Sequence, residues 1–248
     1  MILILGGSSE ARALALALTA KSVPIISSLA GRIKDPALPA GKVRIGGFGG
    51  VDGLTKYLRE NAIQAVINAT HPFAATISAS AEAACAKNSV PLLRLLRPGW
   101  DSLPGAASWH WVLDTQEAGA VAAELSDRVF LTTGRQTAHE YIPALGSRFT
   151  AVRVVQAPSE PLPETWEVIT SRGPYSLGSE REFMSSRRVG ALVTKDSGGT
   201  YTSAKLTAAT ELGIDIVIIR RPEPGQARRV ESVDGAVSWV TALSALPH

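Results

Sequence analysis

Short apolar runs alternate along this chain with segments in which apolar residues recur at helical spacing. The runs at 2–5, 23–27, 42–46, 65–69 and 91–96 are near-continuous rather than alternating, the pattern of strands buried on both faces. Residues 9–20, 51–61 and 73–87 carry the helical period between them. Such a series predicts a parallel sheet covered by helices. A Pro- and Gly-rich stretch, Arg97-Pro98-Gly99-Trp100 through Pro104-Gly105, interrupts the rhythm and predicts a domain boundary. The pattern resumes with strands at 109–113, 128–132, 149–155, 166–170, 191–195 and 215–220. Helices there include 177–188 and 202–212, and a last helix spans 234–245. The expected fold is α/β: two doubly wound lobes with parallel sheets and a cleft between them, residues 1–100 and 101–248, the last helix able to pack back on the first.

Composition narrows the classes. With 248 residues and 45% apolar content the chain is expected to be ordered, with one large core or two modest ones. Its single cysteine, Cys85, lies in an apolar helical stretch without a CxxC partner or histidine cluster. An internal disulfide is excluded, no metal site is expected, and a reduced cytoplasmic home follows. No signal-peptide pattern and no run near the ~18 apolar residues of a membrane span is present, so no membrane association is expected. The net charge is +3 and the basic residues are scattered, which argues against nucleic acid as a partner.

Candidate chemistry begins at the first turn. Ile2-Leu3-Ile4-Leu5 runs directly into Gly6-Gly7-Ser8-Ser9-Glu10-Ala11-Arg12. Glycines let the backbone approach a ligand, Ser8 or Ser9 can cap the helix, and the helix N-terminus favours an anion. The turn departs from GxGxxG, because the third glycine is lost, and a plain tight turn is the alternative. Dinucleotide folds that bind NAD place an acid about 20 residues further on. Here that window reads Ser27-Ser28-Leu29-Ala30-Gly31-Arg32, with no acid before Asp35. Two hydroxyls and a guanidinium suit a 2′-phosphate, so NADPH is favoured over NADH, unless Arg32 is an ordinary solvated residue. Gly46-Gly47-Phe48-Gly49-Gly50 adds a flexible loop on the same edge, a cover for adenine or a turn. The fourth strand ends in Asn68-Ala69-Thr70-His71-Pro72-Phe73-Ala74, where Thr70 can cap the next helix and Pro72 can occupy its first turn. His71 is thereby expected at the carboxyl edge of the sheet, where α/β ligands bind, or as a bland surface residue.

GGSSEAR at the first turn, THPFA after the fourth strand, LLRLLRPGW at 92–100, TTGR at 132–135, and KDSGG with AKLTAATELGI across 195–214 together resemble the precorrin-6A reductases. That family comprises NADPH-dependent enzymes of vitamin B12 biosynthesis, with the cobalt-precorrin-6A reductases as close relatives. Asn68 stands where the resemblance leads us to expect an aspartate, and Ser8 where threonine is common. The resemblance implies two Rossmann-like lobes, the cofactor on residues 1–100 and a polycarboxylated tetrapyrrole on 101–248. It also implies transient hand-over to other enzymes of that pathway.

Basic residues at strand ends agree with such a substrate. Arg97, Arg135 in Thr133-Gly134-Arg135, Arg172, Lys195, and Arg220 beside Arg221 each follow an apolar run. One basic strand end is ordinary, but five make a field suited to a polyanion. Lys195-Asp196-Ser197-Gly198-Gly199-Thr200 precedes a helix expected near Tyr201, whose N-terminus, with Ser197 and Thr200, could receive a carboxylate. Asp196 is expected to orient Lys195 or cap that helix. Tyr201 and Lys205 have the YxxxK spacing of short-chain dehydrogenases, but Arg188 replaces the expected serine and that reading is rejected. The expected reaction, an oxidoreduction of a CH–CH group, is hydride transfer from NADPH to precorrin-6A with protonation of the neighbouring carbon, giving the dihydro product precorrin-6B. His71 and Lys195 are the candidate proton donors. A cobalt-loaded substrate, a smaller acid, or a noncatalytic NADP-sensing regulator are the alternatives.

Overall fold

The computed structural model describes residues 1–31 and 38–244, Ser244 by its backbone alone. They form two compact units, Met1–Pro98 with Pro222–His248, and Gly99–Arg221. Each carries its own six-stranded sheet, and all the strand pairings are parallel.

In the first unit, the apolar runs become β1 (Ile2–Leu5), β2 (Ile25–Leu29), β3 (Lys42–Ile45), β4 (Ala65–Asn68) and β5 (Leu92–Leu95). Helices α1 (Ser9–Ala20), α2 (Gly50–Glu60) and α3 (Ala75–Asn88) connect them. From β1 the chain winds outward through β2 to β3, then crosses over and continues from β4 to β5 on the other side. The strand order reverses between β1 and β4, so the crevice that α/β sheets use for ligands lies outside their carboxyl ends. One face of the sheet packs Ile2, Ile4, Ile25 and Ile67 against Leu14 and Leu18 of α1. The other packs Leu3, Leu5, Ile26 and Val66 against Leu54 and Leu58 of α2 and Ala81 and Ala84 of α3.

The unit is completed by residues from the end of the chain, where the expected division into 1–100 and 101–248 allowed only for the last helix. Strand β12 (Arg228–Val230) pairs with β5 at the sheet edge, and α8 (Val233–Ser244) sets Ala236 and Val240 beside α1. No apolar run announced β12. An edge strand needs no second buried face, and both its arginines are exposed.

In the second unit β6 (His110–Val112), β7 (Arg128–Leu131), β8 (Phe149–Val154), β9 (Trp166–Thr170), β10 (Ala191–Lys195) and β11 (Asp215–Ile219) take the order β6-β11-β10-β7-β8-β9. Helices α4 (Thr115–Leu125), α5 (Ile142–Leu145), α6 (Leu177–Ser186) and α7 (Ala204–Glu211) accompany them, with a 3-10 helix at Arg135–Tyr141. Here the winding reverses between β7 and β10. Arg153, inside β8, is buried against Glu180 of α6 at 2.5 Å. Its guanidinium lies over the rings of Phe130, Tyr175 and Phe183 at 4.7, 4.1 and 4.7 Å. Arg153→Met strands the Glu180 carboxylate and should lower the unfolding free energy by about 3–5 kcal/mol, whereas the Arg153→Met, Glu180→Leu pair should recover most of it in urea melts.

Candidate functional site

At the first turn, Gly7 holds φ +112°, a conformation open to glycine, and the Gly6 N–H donates to the Ser28 carbonyl at 2.9 Å. Ser8 rather than Ser9 caps α1. Its hydroxyl accepts from the Ala11 N–H at 3.0 Å and donates to the Ala69 carbonyl at 2.7 Å. That second bond joins the turn after β1 to the exit of β4 across the point where the strand order reverses. The Ser8 hydroxyl is thus committed to the fold, which leaves the first-turn N–H groups of α1 as the groups there able to receive an anion. Ser9 donates to the Glu10 carboxylate at 3.1 Å, and Arg97 donates to the same oxygen at 2.5 Å. Burial pushes the Glu10 carboxyl up, but its backbone N–H, Arg97 and Ser9 outweigh this and hold it below its ordinary value. Arg97, expected among the substrate cations, is paired within the first unit with an acid beside the glycine turn. Arg12 is half-buried on α1.

Near the carboxyl ends of β3, β2, β1, β4 and β5 the register forms a transverse row: Arg44, Ser28, Leu5, Asn68 and Arg94. Paired neighbours face the same side of a sheet, here the side covered by α2 and α3. Ser27 and Ser28 cannot share a ligand on that face, because strand alternation turns them apart. Ser28 accepts from Arg44 Nη1 at 2.9 Å, while Ser27 is buried on the opposite face with its hydroxyl unpartnered. Arg32 lies outside the described residues. Gly47 contributes a carbonyl, which accepts from Arg44 Nη2 at 3.0 Å.

At the other end of the row, Arg94 donates to the Asn68 side chain, to the Thr70 hydroxyl at 3.0 Å, and to the carbonyls of Thr70 and His71 at 3.2 and 3.3 Å. The Asn68 amide oxygen also accepts from the Thr70 N–H and hydroxyl, and its nitrogen donates to Ser78 at 3.0 Å. Arg94 and Asn68 thus hold the loop carrying His71. Thr70 is not the helix cap expected of it, since its hydroxyl serves this network. α3 starts only at Ala75, with Ala74 as N-cap, so Pro72 precedes the helix. His71 is exposed, and its Nδ1 accepts from the Phe73 N–H at 3.3 Å. The signal for Arg94 was one arginine inside the apolar run 91–96, a place where an unneeded charge is costly.

In the second unit the exits of β7 and β10 adjoin. Gly134 takes φ +91°, Thr133 is buried, and Arg135 opens the 3-10 helix half-buried. Lys195 Nζ donates to the Thr137 hydroxyl at 3.4 Å, bringing Lys195 to the Thr133-Gly134-Arg135 segment. Burial lowers the Lys195 pKa from its ordinary value, with Glu140 opposing. Asp196 does not cap the following helix, whose N-cap is Ser203. It accepts from the Trp100 N–H at 3.1 Å and pairs with Arg221 at 3.1 Å, while Trp100 Nε1 donates to the Gly199 carbonyl at 2.8 Å. Gly99 is small for the same reason: a Cβ there would lie 2.9 Å from the Asp196 carboxylate. Gly99-Trp100 and the KDSGG segment are therefore one structure.

Within it Gly198 and Gly199 take φ +67° and +64°, and Ser197 donates its N–H to the Lys195 carbonyl at 2.6 Å. The following helix begins at Ala204, not near Tyr201, and the Thr200 carbonyl accepts from the Ser203 N–H and hydroxyl in the intervening turn. The glycine pair is thus separated from the helix N-terminus, which corrects the expected helix start and leaves the turn itself as the candidate carboxylate site. Arg172 and Arg220 are exposed, the latter 5.1 Å over Trp111. Lys205 donates to the Thr202 carbonyl at 2.8 Å. Among the described residues no group of three or more His, Cys, Asp or Glu could hold a metal ion, and no helix is long and apolar enough to cross a membrane.

Two doubly wound parallel units, the first with a glycine turn at its reversal point, define a Rossmann-like α/β protein. Residues 1–241 match the model of the family described as precorrin-6x reductase CbiJ/CobK, and the chain belongs to that family. A Mycobacterium tuberculosis protein named precorrin-6A reductase is 48% identical over 244 residues, covering 98% of each chain. A Rhodococcus erythropolis protein of the same name is 44% identical over 245 residues, again covering 98% of each. The solved structure of a CobK precorrin-6A reductase superposes with TM-score 0.89 at 35% identity, covering 100% of this chain and 98% of that one.

Arg94→Met removes the donors that hold the loop after β4 and leaves buried acceptors unsatisfied. It should cost about 1–3 kcal/mol in urea unfolding and accelerate amide exchange at Thr70–Ala74, while exchange in β10 stays unchanged.

Proposed function

We propose that this protein reduces precorrin-6A to precorrin-6B with NADPH in cobalamin biosynthesis, the metal-free macrocycle being its substrate. Near full-length similarity to proteins named precorrin-6A reductase carries this reading. The first unit is suited to the cofactor: Gly6 and Gly7 clear space at the end of β1, and α1 presents its N-terminus there. Gly6, Gly7, Ser9 and Glu10 would hold the diphosphate through their backbone, with Arg97 offsetting the Glu10 charge, and Asn68, Thr70 and His71 would flank the nicotinamide. When bound, NADPH supplies a hydride to an electrophilic carbon of the macrocycle. In the second unit Arg135, Lys195 and the Gly198-Gly199 turn would bind substrate carboxylates, with Arg172 and Arg220 adding to the attraction from exposed positions. Thr133, Gly134, Ser197 and Thr200 shape those loops. His71 and Lys195 are the candidate donors of the proton to the adjacent carbon, and burial of Lys195 favours proton release.

Stopped-flow mixing of the protein with NADPH and precorrin-6A should show NADPH absorbance decaying in step with a change in the tetrapyrrole spectrum. No NADPH consumption at saturating substrate would refute the enzyme reading. Lys195 donates only while protonated, so single-turnover reduction should slow as pH rises through its lowered pKa if Lys195 is the acid. Lys195→Met should then cut the rate about 10²-fold or more and abolish that limb. A limb that persists in Lys195→Met but is lost in His71→Ala assigns the proton to His71 instead.

A further inference from the structure

We infer that Arg44, on β3, is the residue that distinguishes NADPH from NADH, by binding the 2′-phosphate together with Ser28. The inference rests on the nucleotide reading above and adds to it a residue absent from the sequence-level candidates. Arg44 lies next to Ser28 across the β2–β3 ladder, at the adenosine side of a sheet whose order reverses at β1. A guanidinium carries five N–H donors. Those of Arg44 reach the Ser28 hydroxyl at 2.9 Å, the Gly46 carbonyl at 2.8 Å and the Gly47 carbonyl at 3.0 Å, leaving donors for a ligand. Ser28 accepts from Arg44, so its own O–H remains available as a second donor.

The guanidinium is also held in orientation. It lies 3.9 Å from the ring centroid of Phe48 and 5.1 Å from that of Tyr57, and those two rings pack edge to face at 5.1 Å. The backbone at Phe48 runs close to α2, its carbonyl occupying the space a Cβ on Gly53 would need, so position 53 is held to glycine. Arg44 is half-buried, which strengthens its interaction with an anion without removing it from solvent. Among the described residues from Leu38 to Val51 no acid is present to hold a ribose 2′-hydroxyl or repel a phosphate. The nearest following acid, Asp52, pairs with Lys87 at 3.0 Å. A guanidinium beside a hydroxyl, with no carboxylate next to them among the described residues, is the chemistry of a phosphate dianion site.

The test is equilibrium binding of NADP⁺, NAD⁺ and 2′,5′-ADP by calorimetry, on the full chain and on Arg44→Ala, Arg44→Lys and Ser28→Ala. Wild-type protein should prefer NADP⁺. Arg44→Ala should weaken NADP⁺ and 2′,5′-ADP on the order of 10- to 100-fold and change NAD⁺ less than about threefold. Arg44→Lys should recover part of the loss, and Ser28→Ala should lose about threefold to tenfold for the phosphorylated ligands alone. Unchanged NAD⁺ affinity in Arg44→Ala also certifies that the variant folds. If Arg44→Ala and Arg44→Lys both keep the wild-type preference, or weaken NADP⁺ and NAD⁺ equally, the assignment fails while the cofactor reading stands. If the wild-type protein binds neither nucleotide, both fail.

Discussion

The hydroxyl of Ser8 makes two bonds on which the geometry of the first unit depends. By accepting from Ala11 it starts α1 at Ser9, two residues after Gly7, and by donating to the Ala69 carbonyl it ties that start to the exit of β4. The reversal point of the sheet is thus closed by a side chain, and the helix N-terminus and the Thr70-His71 loop come to the same edge. The row from Arg44 to Arg94 follows from this register, since parallel pairing outward from Leu5 fixes which residues of β2, β3, β4 and β5 share its face. One arginine stands at each end of that row. Arg94 is spent on backbone carbonyls and makes a loop rigid, whereas Arg44 retains donors.

The second unit solves a related problem with different parts. Its loop after β10 contains two glycines in left-handed conformation and would be loose if left to itself. Trp100 and Asp196 pin it from beneath, one through the Gly199 carbonyl and the other through the Trp100 N–H and Arg221. Burial pushes the Asp196 carboxyl upward in pKa, and Arg221 and the Trp100 N–H draw it back. A charged group at that depth is tolerable only with such partners. Lys195 is consequently presented beside Thr137 at the exit of the strand rather than swinging freely from a loop.

Much of the fold was legible in the sequence because parallel strands buried on both faces write continuous apolar runs. The bounds of β1 and α1 were legible to the residue, whereas the cap stayed open between Ser8 and Ser9 until the structure placed it on Ser8. What escaped were features decided by tertiary pairing. β12 has no apolar signature, so the return of the chain to the first sheet left only the last helix as a hint. Thr70 reads as a cap until Arg94 and Asn68 claim it, and Ser27 reads as a partner of Ser28 until both are placed on one strand. Arg44 went unread because the search for a phosphate-binding cation followed the second strand, whereas the ladder puts the third strand's arginine beside Ser28.

The central claim is that the dinucleotide lies on the first unit, across the carboxyl ends of β1, β2 and β4. Hydrogen–deuterium exchange of the protein with and without saturating NADPH tests it most directly. The account predicts slowed exchange in peptides covering residues 6–12, 44–49 and 68–74, with the loop after β10 unaffected. Protection confined to the second unit, or none in these three segments at saturating cofactor, would contradict it.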